Sequence, residues 1–355
     1  MTAPFSLLPL AGGGFVLGAI ASFVATRIVL GQLRKRNLLD IPNERSSHTS
    51  PTPRGGGWGV VAGAAASWVL VGPFLESGPW MLGLGLAVAI AIVLSWRDDL
   101  GGLSVRVRLA TQFAAAAAAL AALAQTHVPY SMAEAAAILA PGLPVVLVLF
   151  VGLPIVLTGY VWFVNLYNFM DGIDGLTAIE TLCVLIGIAA VALAAGKANP
   201  LLVAYPLIVA GAASGFLAWN WHPAKVFLGD VGSVPLGLVV GFFLLALAAY
   251  GNPVSAVILP LYYIADATLT LLRRLAGGAK PWQAHRTHWY QRAAAAVGHR
   301  KTVLVILAGN GGLVGLSLLA LTHPLAALAT ALIWTAMLLR ILSRLAVRAV
   351  PAAAA

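Results

Sequence analysis

Long apolar runs are the feature that most limits how this chain can fold. Each run is about twenty residues long, the length at which a helix crosses a bilayer, and together the runs fill most of the 355 residues. They lack the alternation of polar and apolar residues that marks a barrel strand. Only 9% of the residues are charged, whereas soluble proteins carry roughly 25%. We therefore predict an all-α fold, a polytopic integral membrane helical bundle that forms a single domain over 1–355.

About eleven transmembrane helices are expected from these runs. The predicted spans are 5–33, 58–75, 80–96, 107–126, 143–164, 176–195, 200–220, 234–250, 253–272, 303–322 and 324–343.

Charge divides the connections between these spans into two sets. Of the 21 Lys and Arg residues, all except Lys197 lie in or beside one set. That set comprises 34–57, 97–106, 165–175, 221–233, 273–302 and the C-terminal tail. Basic residues are retained on the cytoplasmic side of a membrane, so we predict a periplasmic N-terminus and a cytoplasmic C-terminus. The same rule explains the net charge of +10 without a nucleic-acid partner.

The stretch 165–175 concentrates polar side chains between two apolar spans. It holds the carboxylates of Asp171 and Asp174 together with the amides of Asn165 and Asn168. A carboxylate beside a bilayer costs several kcal/mol unless it is hydrated, paired or bound to a cation. The stretch therefore indicates a functional site, and the alternative is a polar loop that only joins two helices.

Three more carboxylates lie at predicted helix ends on the cytoplasmic side. Asp98 and Asp99 are adjacent, so they repel each other and raise the affinity for Mg²⁺, which takes one or two carboxylates. Alternatively, they cap the helix that follows. Asp230 lies between two glycines, before a helix predicted to begin near Pro235, and this placement suits either a cap or a cation ligand.

Cationic side chains in the same loops are candidates for binding phosphate. Arg54 precedes three glycines whose backbone N–H groups can approach an anion, and Lys225 precedes Asp230 in its loop. His285 and His288 flank Arg286, and on a short helix the two histidines would share a face. The alternatives are a flexible turn after Arg54 and a basic segment at 273–302 that contacts anionic lipid.

A zinc site at the two histidines is disfavoured because the sequence offers no third soft ligand. The single cysteine, Cys183, lies in an apolar run and excludes both an internal disulfide and a cysteine-based metal site. Carboxylates that chelate Mg²⁺, beside cations that hold phosphate, are instead the groups that phosphoryl transfer requires.

Four motifs carry a resemblance to a known family. They are Arg97-Asp-Asp99, Asn168-Phe-Met-Asp-Gly-Ile-Asp-Gly175, Phe227-Leu-Gly-Asp-Val-Gly-Ser233 and His285-Arg-Thr-His288. In this order and spacing, the chain resembles the polyprenyl-phosphate N-acetylhexosamine-1-phosphate transferases. That family includes the phospho-N-acetylmuramoyl-pentapeptide translocase and the enzymes that initiate O-antigen, enterobacterial common antigen and teichoic acid synthesis.

The resemblance implies a reaction at the cytoplasmic face of a bacterial inner membrane. A polyprenyl phosphate would attack the β-phosphorus of a UDP-N-acetyl sugar, giving polyprenyl-diphospho-sugar and UMP. The implied cofactor is Mg²⁺, with Mn²⁺ as an alternative, and the sequence leaves a homodimer open.

The resemblance also implies roles for residues at the matching positions. Asp230 looks like the principal metal ligand, with Asp171 beside it. Asp98 and Asp99 look like the pair that handles the lipid phosphate, with the need for a base left open because a phosphate monoester is already mostly ionised at pH 7. The remaining implied contacts to nucleotide, diphosphate and sugar are Asn168, Asp171, Asp174, His285, Arg286 and His288, with Arg54 and Lys225 as further candidates for phosphate.

The histidine motif bears on the substrate. The pentapeptide-using branch carries three consecutive histidines, whereas His285-Arg-Thr-His288 is similar to the O-antigen and common-antigen branch, which favours UDP-N-acetylglucosamine or a UDP-N-acetyl-6-deoxyhexosamine. Competing hypotheses are a secondary transporter, for which Asp266 is the one carboxylate inside a predicted span that suits a coupling ion, and a lipid-binding scaffold without activity.

Overall fold

A computed structural model of the chain describes residues 4–42, 47, 50–75, 78–126, 144–280, 283 and 285–348. Within these ranges the protein is almost entirely helical. The helices are α1 (Pro4–Lys35), α2 (Gly57–Val71), α3 (Trp80–Gly101), α4 (Val105–Leu123), α5 (Val145–Phe169), α6 (Leu176–Ala194), α7 (Ala204–Asn220), α8 (Asp230–Ala249), α9 (Pro253–Ile258), α10 (Leu261–Ala276), α11 (Trp289–Val297), α12 (His299–Leu319) and α13 (Pro324–Arg348), with a short 3₁₀ turn at Gly72–Phe74.

These helices confirm the predicted all-α, multi-pass membrane architecture. Among the described residues, nine helices are long and apolar enough to cross a membrane. The predicted span 200–220 corresponds to α7, which has 17 residues, and 253–272 corresponds to the consecutive helices α9 and α10. The count of eleven spans stays a prediction.

Two spans form the centre of the bundle. In α8 and α6, 89% and 72% of the most apolar window is buried, whereas the value for α1 is 28%. Packing at the periphery relies on small residues. A Cβ added at Gly211 or Gly215 of α7 would overlap the backbone oxygen of Phe15 or Ala19 in α1. Such close approach is typical of helix pairs in membranes, where small residues let backbones meet.

Three helix ends differ from the predicted boundaries. Helix α5 continues to Phe169, so Asn165 and Asn168 lie on a helix and not in the loop 165–175. Helix α3 continues to Gly101 and includes Asp98 and Asp99. Helix α8 begins at Asp230 itself, not near Pro235. Hydropathy places a boundary where polar residues begin, but a helix continues for as long as its N–H groups find partners.

One short antiparallel strand pair brings the two ends of the loop between α1 and α2 together. It joins β1 (Leu39–Asp40) to β2 (Thr52–Pro53). The loop also docks on 221–229, because Phe227 N donates to Pro53 O at 2.8 Å and Gly56 N donates to Phe227 O at 2.8 Å. These bonds hold Arg54 next to the start of α8.

A carboxyl–amide pair links α6 to α12 inside the bundle. Asn310 Nδ2 donates to Glu180 Oε2 at 2.6 Å, and both residues are at most 1% exposed. Glu180 Oε1 and Asn310 Oδ1 have no other hydrogen-bond partner. A proton on Glu180 would join these two remaining oxygens, whereas a carboxylate would leave them facing an apolar surrounding.

We therefore expect Glu180→Gln, which supplies N–H in place of O–H, to unfold at nearly the wild-type temperature in detergent. Glu180→Leu removes the acceptor and leaves the Asn310 amide unpaired, so it should lower the free energy of unfolding by about 1–3 kcal/mol. Thermal unfolding of the two purified variants measures this. Equal destabilisation by Gln and Leu would show that the ionised form is the one the fold needs.

Candidate active site

Arg54 lies between two of the predicted carboxylates. Its Nη2 atom is 3.0 Å from Asp99 Oδ1 and 2.8 Å from Asp230 Oδ1. Burial acts to lower the pKa of Arg54, but the negative charges of Asp230 and Asp99 outweigh it and raise that pKa above its ordinary value. The guanidinium therefore stays charged and joins the ends of α3 and α8.

Asp99 caps α8 from another helix. Its carboxylate accepts hydrogen bonds from the backbone N–H groups of Asp230 (3.3 Å) and Val231 (3.0 Å), the first two residues of α8. A negative charge at a helix N-terminus is favourable because unpaired N–H groups point towards it. Because the cap comes from Asp99, α8 starts at Asp230, and Asp230 itself is not the capping residue.

Asp98 points away from its neighbour. Its carboxylate accepts from Leu103 N at 2.6 Å and lies 3.2 Å from Arg108 Nε. The alternative that the acidic pair caps the following helix is wrong, because the N-cap of α4 is Ser104, whose hydroxyl accepts from Val107 N. Arg108, which the motif analysis did not single out, is thus the cation beside Asp98.

Asp171 follows the end of α5. Burial raises the pKa of Asp171 to about 7, and the charges of Asp230 and Asp99 act in the same direction against a hydrogen bond with Thr177. On the preceding helix, Asn168 Nδ2 donates to Ser233 Oγ of α8 at 3.0 Å. The second and third motifs therefore meet where α5 ends and α8 begins.

Asp174 is surrounded by donors. Its Oδ2 atom lies 2.6 Å from His222 Nδ1, 3.3 Å from His299 Nδ1 and 3.1 Å from Ala224 N. Burial acts to raise the pKa of Asp174, but the hydrogen bonds with His299 and His222 outweigh it and hold that pKa below its ordinary value. Sequence reasoning missed both histidines, although His222 shares a loop with Asp230.

Metal-ligand geometry differs from the prediction in one respect. Among the described residues, the group of three carboxylate or histidine ligands whose atoms lie within 4.8 Å of one another is Asp174, His222 and His299. The predicted ligands Asp230 and Asp171 are not in such a group, although they line one cleft. In the first group the Asp174 oxygen is already paired with both imidazoles, so its geometry is that of a hydrogen-bonded triad.

Two positions in the stretch 165–175 require glycine for different physical reasons. Gly175 has a φ of +79°, which favours glycine, and its N–H donates to Asn220 Oδ1 at 2.8 Å. Gly172 instead provides space, since a Cβ there would overlap the hydroxyl of Tyr290. That hydroxyl donates to Phe169 O at 2.9 Å and ties α11 to the end of α5.

The histidine motif lies outside a helix. His285 lies outside any helix and His288 immediately precedes α11, so the expectation of a shared helix face is wrong. The two rings nevertheless stack, with centroids 5.0 Å apart. Burial, together with the charges of His288 and Arg274, lowers the pKa of His285 to about 4, so this ring is neutral at pH 7.

The other candidate phosphate-binding residues lie on the exposed surface. Lys225 is exposed, with Nζ 5.3 Å from the ring centroid of Trp219, and Arg286 is exposed. Neither of them, nor His285 or His288, is among the residues that line the two clefts described next.

Two clefts meet at the carboxylates. The polar cleft has a volume of about 350 Å³. It is lined by Asp40, Ser47, Arg54, Asn168, Asp171, Gly172, Ile173, Asp174, Asn220, Phe227, Leu228, Gly229, Asp230, Ser233, Gln291 and His299. The apolar groove lies among α3, α4, α5 and α8, has a volume of about 30 Å³, and includes Asp98 and Arg108 among its lining residues. Asn168 and Asp230 line both.

Comparisons with known proteins identify relatives of this chain. The family described as Glycosyl transferase family 4 matches residues 81–248. A decaprenyl-phosphate N-acetylglucosaminephosphotransferase of Mycolicibacterium smegmatis is 30% identical over 321 residues, covering 81% of this chain and 76% of the relative. A protein of Bacillus subtilis named "Probable undecaprenyl-phosphate N-acetylglucosaminyl 1-phosphate transferase" is 28% identical over 300 residues, covering 82% and 80%. A phospho-N-acetylmuramoyl-pentapeptide-transferase of Moorella thermoacetica is 45% identical over 78 residues, covering 22% and 24%.

The protein is therefore a multi-pass membrane transferase. It belongs to the polyprenyl-phosphate hexosamine-1-phosphate transferase family, as the motif resemblance predicted.

The close approach at Gly172 generates a prediction. Gly172→Ala should lower the free energy of unfolding by about 1–3 kcal/mol, because the new methyl group displaces Tyr290 from a packed site. A second change, Tyr290→Phe, removes the overlapping hydroxyl and should restore part of the loss. The control is Gly85→Ala, whose added Cβ meets nothing within 4 Å. Thermal unfolding of the four proteins measures this, and equal effects at positions 172 and 85 would contradict the packing argument.

Proposed function

We propose that the protein transfers an N-acetylhexosamine 1-phosphate from a UDP-sugar to a membrane-borne polyprenyl phosphate. A phosphate oxygen of the lipid would form a bond to the β-phosphorus, the bond from that phosphorus to the bridging oxygen would break, and UMP would leave. The observation that carries the proposal is the junction of an apolar groove with a polar cleft at Asn168 and Asp230. A lipid and a soluble nucleotide need such a junction in order to meet.

The apolar groove suits the lipid substrate. Leu94, Val164 and Leu238 are among its apolar lining residues, and Asp98 and Arg108 are among its polar ones. An isoprenoid chain gains stabilisation from apolar contact, and an arginine provides charge-assisted hydrogen bonds to phosphate. We infer that Arg108 meets the lipid phosphate and that Asp98 orients Arg108.

The polar cleft suits the nucleotide-sugar. Its volume lies within the range typical of small-molecule sites, roughly 300–1,000 Å³. Arg54 would oppose the diphosphate charge at one side, and Asp171, Asp174 and His299 supply polar contacts elsewhere in the cleft. Lys225 and Arg286 stay predicted contacts, and would act at the rim.

The donor set fits Mg²⁺ or Mn²⁺ as the implied cofactor. Asp230 and Asp171 provide hard oxygen ligands in one cleft, which is the chemistry that Mg²⁺ prefers, and they leave room for phosphate oxygens. When bound, the ion would neutralise charge that develops on the phosphoryl group. Asp99 already accepts from two N–H groups and Arg54, so we assign it a positioning role and require no general base from it.

The histidine motif and the relatives that match most of the chain indicate which UDP-sugar the protein uses. The N-acetylglucosamine-1-phosphate transferases match across about four fifths of this chain, whereas the pentapeptide transferase of Moorella matches across 22%. We therefore favour UDP-N-acetylglucosamine, or a UDP-N-acetyl-6-deoxyhexosamine, over UDP-muramoyl-pentapeptide. An initiating step of O-antigen or another envelope polysaccharide is the corresponding role.

The transporter alternative has lost its main support. Asp266 was its one candidate carboxylate, and this side chain accepts hydrogen bonds from backbone and side-chain donors around it. A carboxylate engaged in this way is a structural group, not a transient ion ligand.

The charge asymmetry supports an active site on the cytoplasmic face of the inner membrane. We expect a reporter fused after Ala355 to report the cytoplasm, because basic residues crowd the loops on the same side as the C-terminal tail. Alkaline phosphatase and green fluorescent protein fusions measure this with opposite signals. A periplasmic signal would contradict the orientation.

Activity is tested directly with the purified protein in detergent. Undecaprenyl phosphate, Mg²⁺ and a panel of UDP-N-acetyl sugars are supplied, and UMP release is measured. We expect release with UDP-N-acetylglucosamine or a 6-deoxy analogue, and loss of release when EDTA removes the divalent ion. Asp230→Asn should lower turnover by roughly 100- to 1,000-fold, since it removes a carboxylate that would hold the ion that neutralises charge on the phosphoryl group.

Glu180→Gln is the matched control, because it exchanges a carboxyl for an amide at a residue that lines neither cleft and should keep wild-type turnover. Absence of UMP with every UDP-sugar would overturn the proposed function. Near-normal turnover in Asp230→Asn would remove Asp230 from the metal site.

A further inference from the structure

Asp266 is a fully buried carboxylate that the transfer reaction does not itself require. It lies on α10 with no exposed surface. Its Oδ1 atom accepts from Trp289 N and its Oδ2 atom accepts from Tyr290 N, both at 3.1 Å. These are the first two N–H groups of α11, so Asp266 caps that helix from a neighbouring one.

The same carboxylate determines which nitrogen of His288 carries a proton. His288 Nδ1 lies 3.1 Å from Asp266 Oδ1. The remaining neighbours of the carboxylate are the hydroxyls of Tyr262 (3.2 Å) and Thr270 (3.4 Å), which can donate. A carboxylate that faces donors on every side is an acceptor only, so its hydrogen bond with His288 requires a proton on Nδ1. The backbone N–H of Gln291 also faces the His288 side chain, and a protonated Nδ1 cannot accept from it.

Helix α11 connects the hydrogen bonds of Asp266 to the polar cleft. Gln291, on the first turn of α11, lines the cleft, and its Oε1 atom accepts from His288 N at 3.4 Å. Tyr290 contacts Gly172 beside Asp171 and donates to Phe169 O. The position of α11 therefore decides where Gln291 lies relative to Asp171.

We propose that Asp266 is a positioning residue for the transfer reaction: by holding the start of α11 and the Nδ1–H form of His288, it places Gln291 in the nucleotide-sugar cleft. The substrate part of this inference rests on the proposed function. The placement itself rests on three hydrogen bonds, from His288 and the first two N–H groups of α11, to a single side chain.

Asp266→Asn tests the proposal because an amide cannot replace both oxygens. With its oxygen towards Trp289 N, the amide nitrogen faces Tyr290 N–H, and with the opposite orientation it faces the Nδ1–H of His288. The first orientation leaves the N–H of Tyr290 without an acceptor, and the second leaves the N–H groups of both Trp289 and His288 without one. Tyr262→Phe is the matched control, since it removes a donor from the same carboxylate and leaves the bonds to His288 and α11 in place.

We expect Asp266→Asn to lower kcat roughly 10- to 100-fold, the size typical of outer-shell changes, and Tyr262→Phe to stay within about twofold of wild type. In a Gln291→Ala background, Asp266→Asn should lose most of its effect on kcat and KM, because residues that act through one another are not additive. Activities are normalised to folded protein by thermal unfolding. Full additivity with Gln291→Ala, or a loss explained by unfolding alone, would overturn the positioning role.

A second measurement does not depend on turnover. In protein with ¹⁵N-labelled histidine, the resonance lost in His288→Gln is assigned to His288, and its ¹⁵N shift distinguishes a protonated from an unprotonated Nδ1. We expect a protonated Nδ1 in the wild type and a changed pattern in Asp266→Asn. An unprotonated Nδ1 in the wild type would overturn the inference. Failure of the transferase assay with a protonated Nδ1 would instead reject the proposed function and leave this arrangement standing.

Discussion

Negative charge gathered at one end of a membrane bundle is the constraint on which the rest of the structure depends. Asp98, Asp99 and Asp230 lie at helix ends where water is scarce, and each costs free energy unless a donor or a cation faces it. Arg54 forms ion pairs with both Asp99 and Asp230, and Arg108 forms an ion pair with Asp98. Because Arg54 is half-exposed, its ion pairs are worth less as stabilisation than as a means of holding two helix ends at a set separation.

The sequence predicted the parts of this arrangement that follow from local rules. Apolar runs of bilayer length identified the helices, and the motifs identified Asp171, Asp174 and Asp230 as members of one polar region. Helix ends were predicted less well. The amides Asn165 and Asn168 were assigned to a loop because they are polar, yet Asn165 donates to Gln112 of α4 and Asn168 to Ser233 of α8, so both are accommodated on a helix.

Partners that come from distant parts of the chain could not be predicted in this way. His222 and His299 reach Asp174 across 48 and 125 residues, and neither belongs to a spacing pattern with it. Asp266 was interpreted as an interior polar contact or, in the transporter alternative, as an ion ligand, but its partners at 288–290 could not be identified because they lie on another element. His285 and His288, in the segment 273–302, were predicted to lie on a helix. Instead His288 only precedes one, because the first N–H groups of that helix donate to Asp266. Hydropathy and spacing contain no information about which carboxylate meets which helix.

Two helices of the site are capped in the same way, by a carboxylate from another helix. Asp99 of α3 caps α8, and Asp266 of α10 caps α11, each through the first two N–H groups of the capped helix. Each capped helix carries a motif residue at its start: Asp230 is the first residue of α8, and His288 precedes α11. A free helix N-terminus attracts phosphate, but here a protein carboxylate already occupies it. Under the proposed function, substrate phosphates would therefore be left to side-chain cations such as Arg54, and the helix ends serve to fix where the motif residues lie.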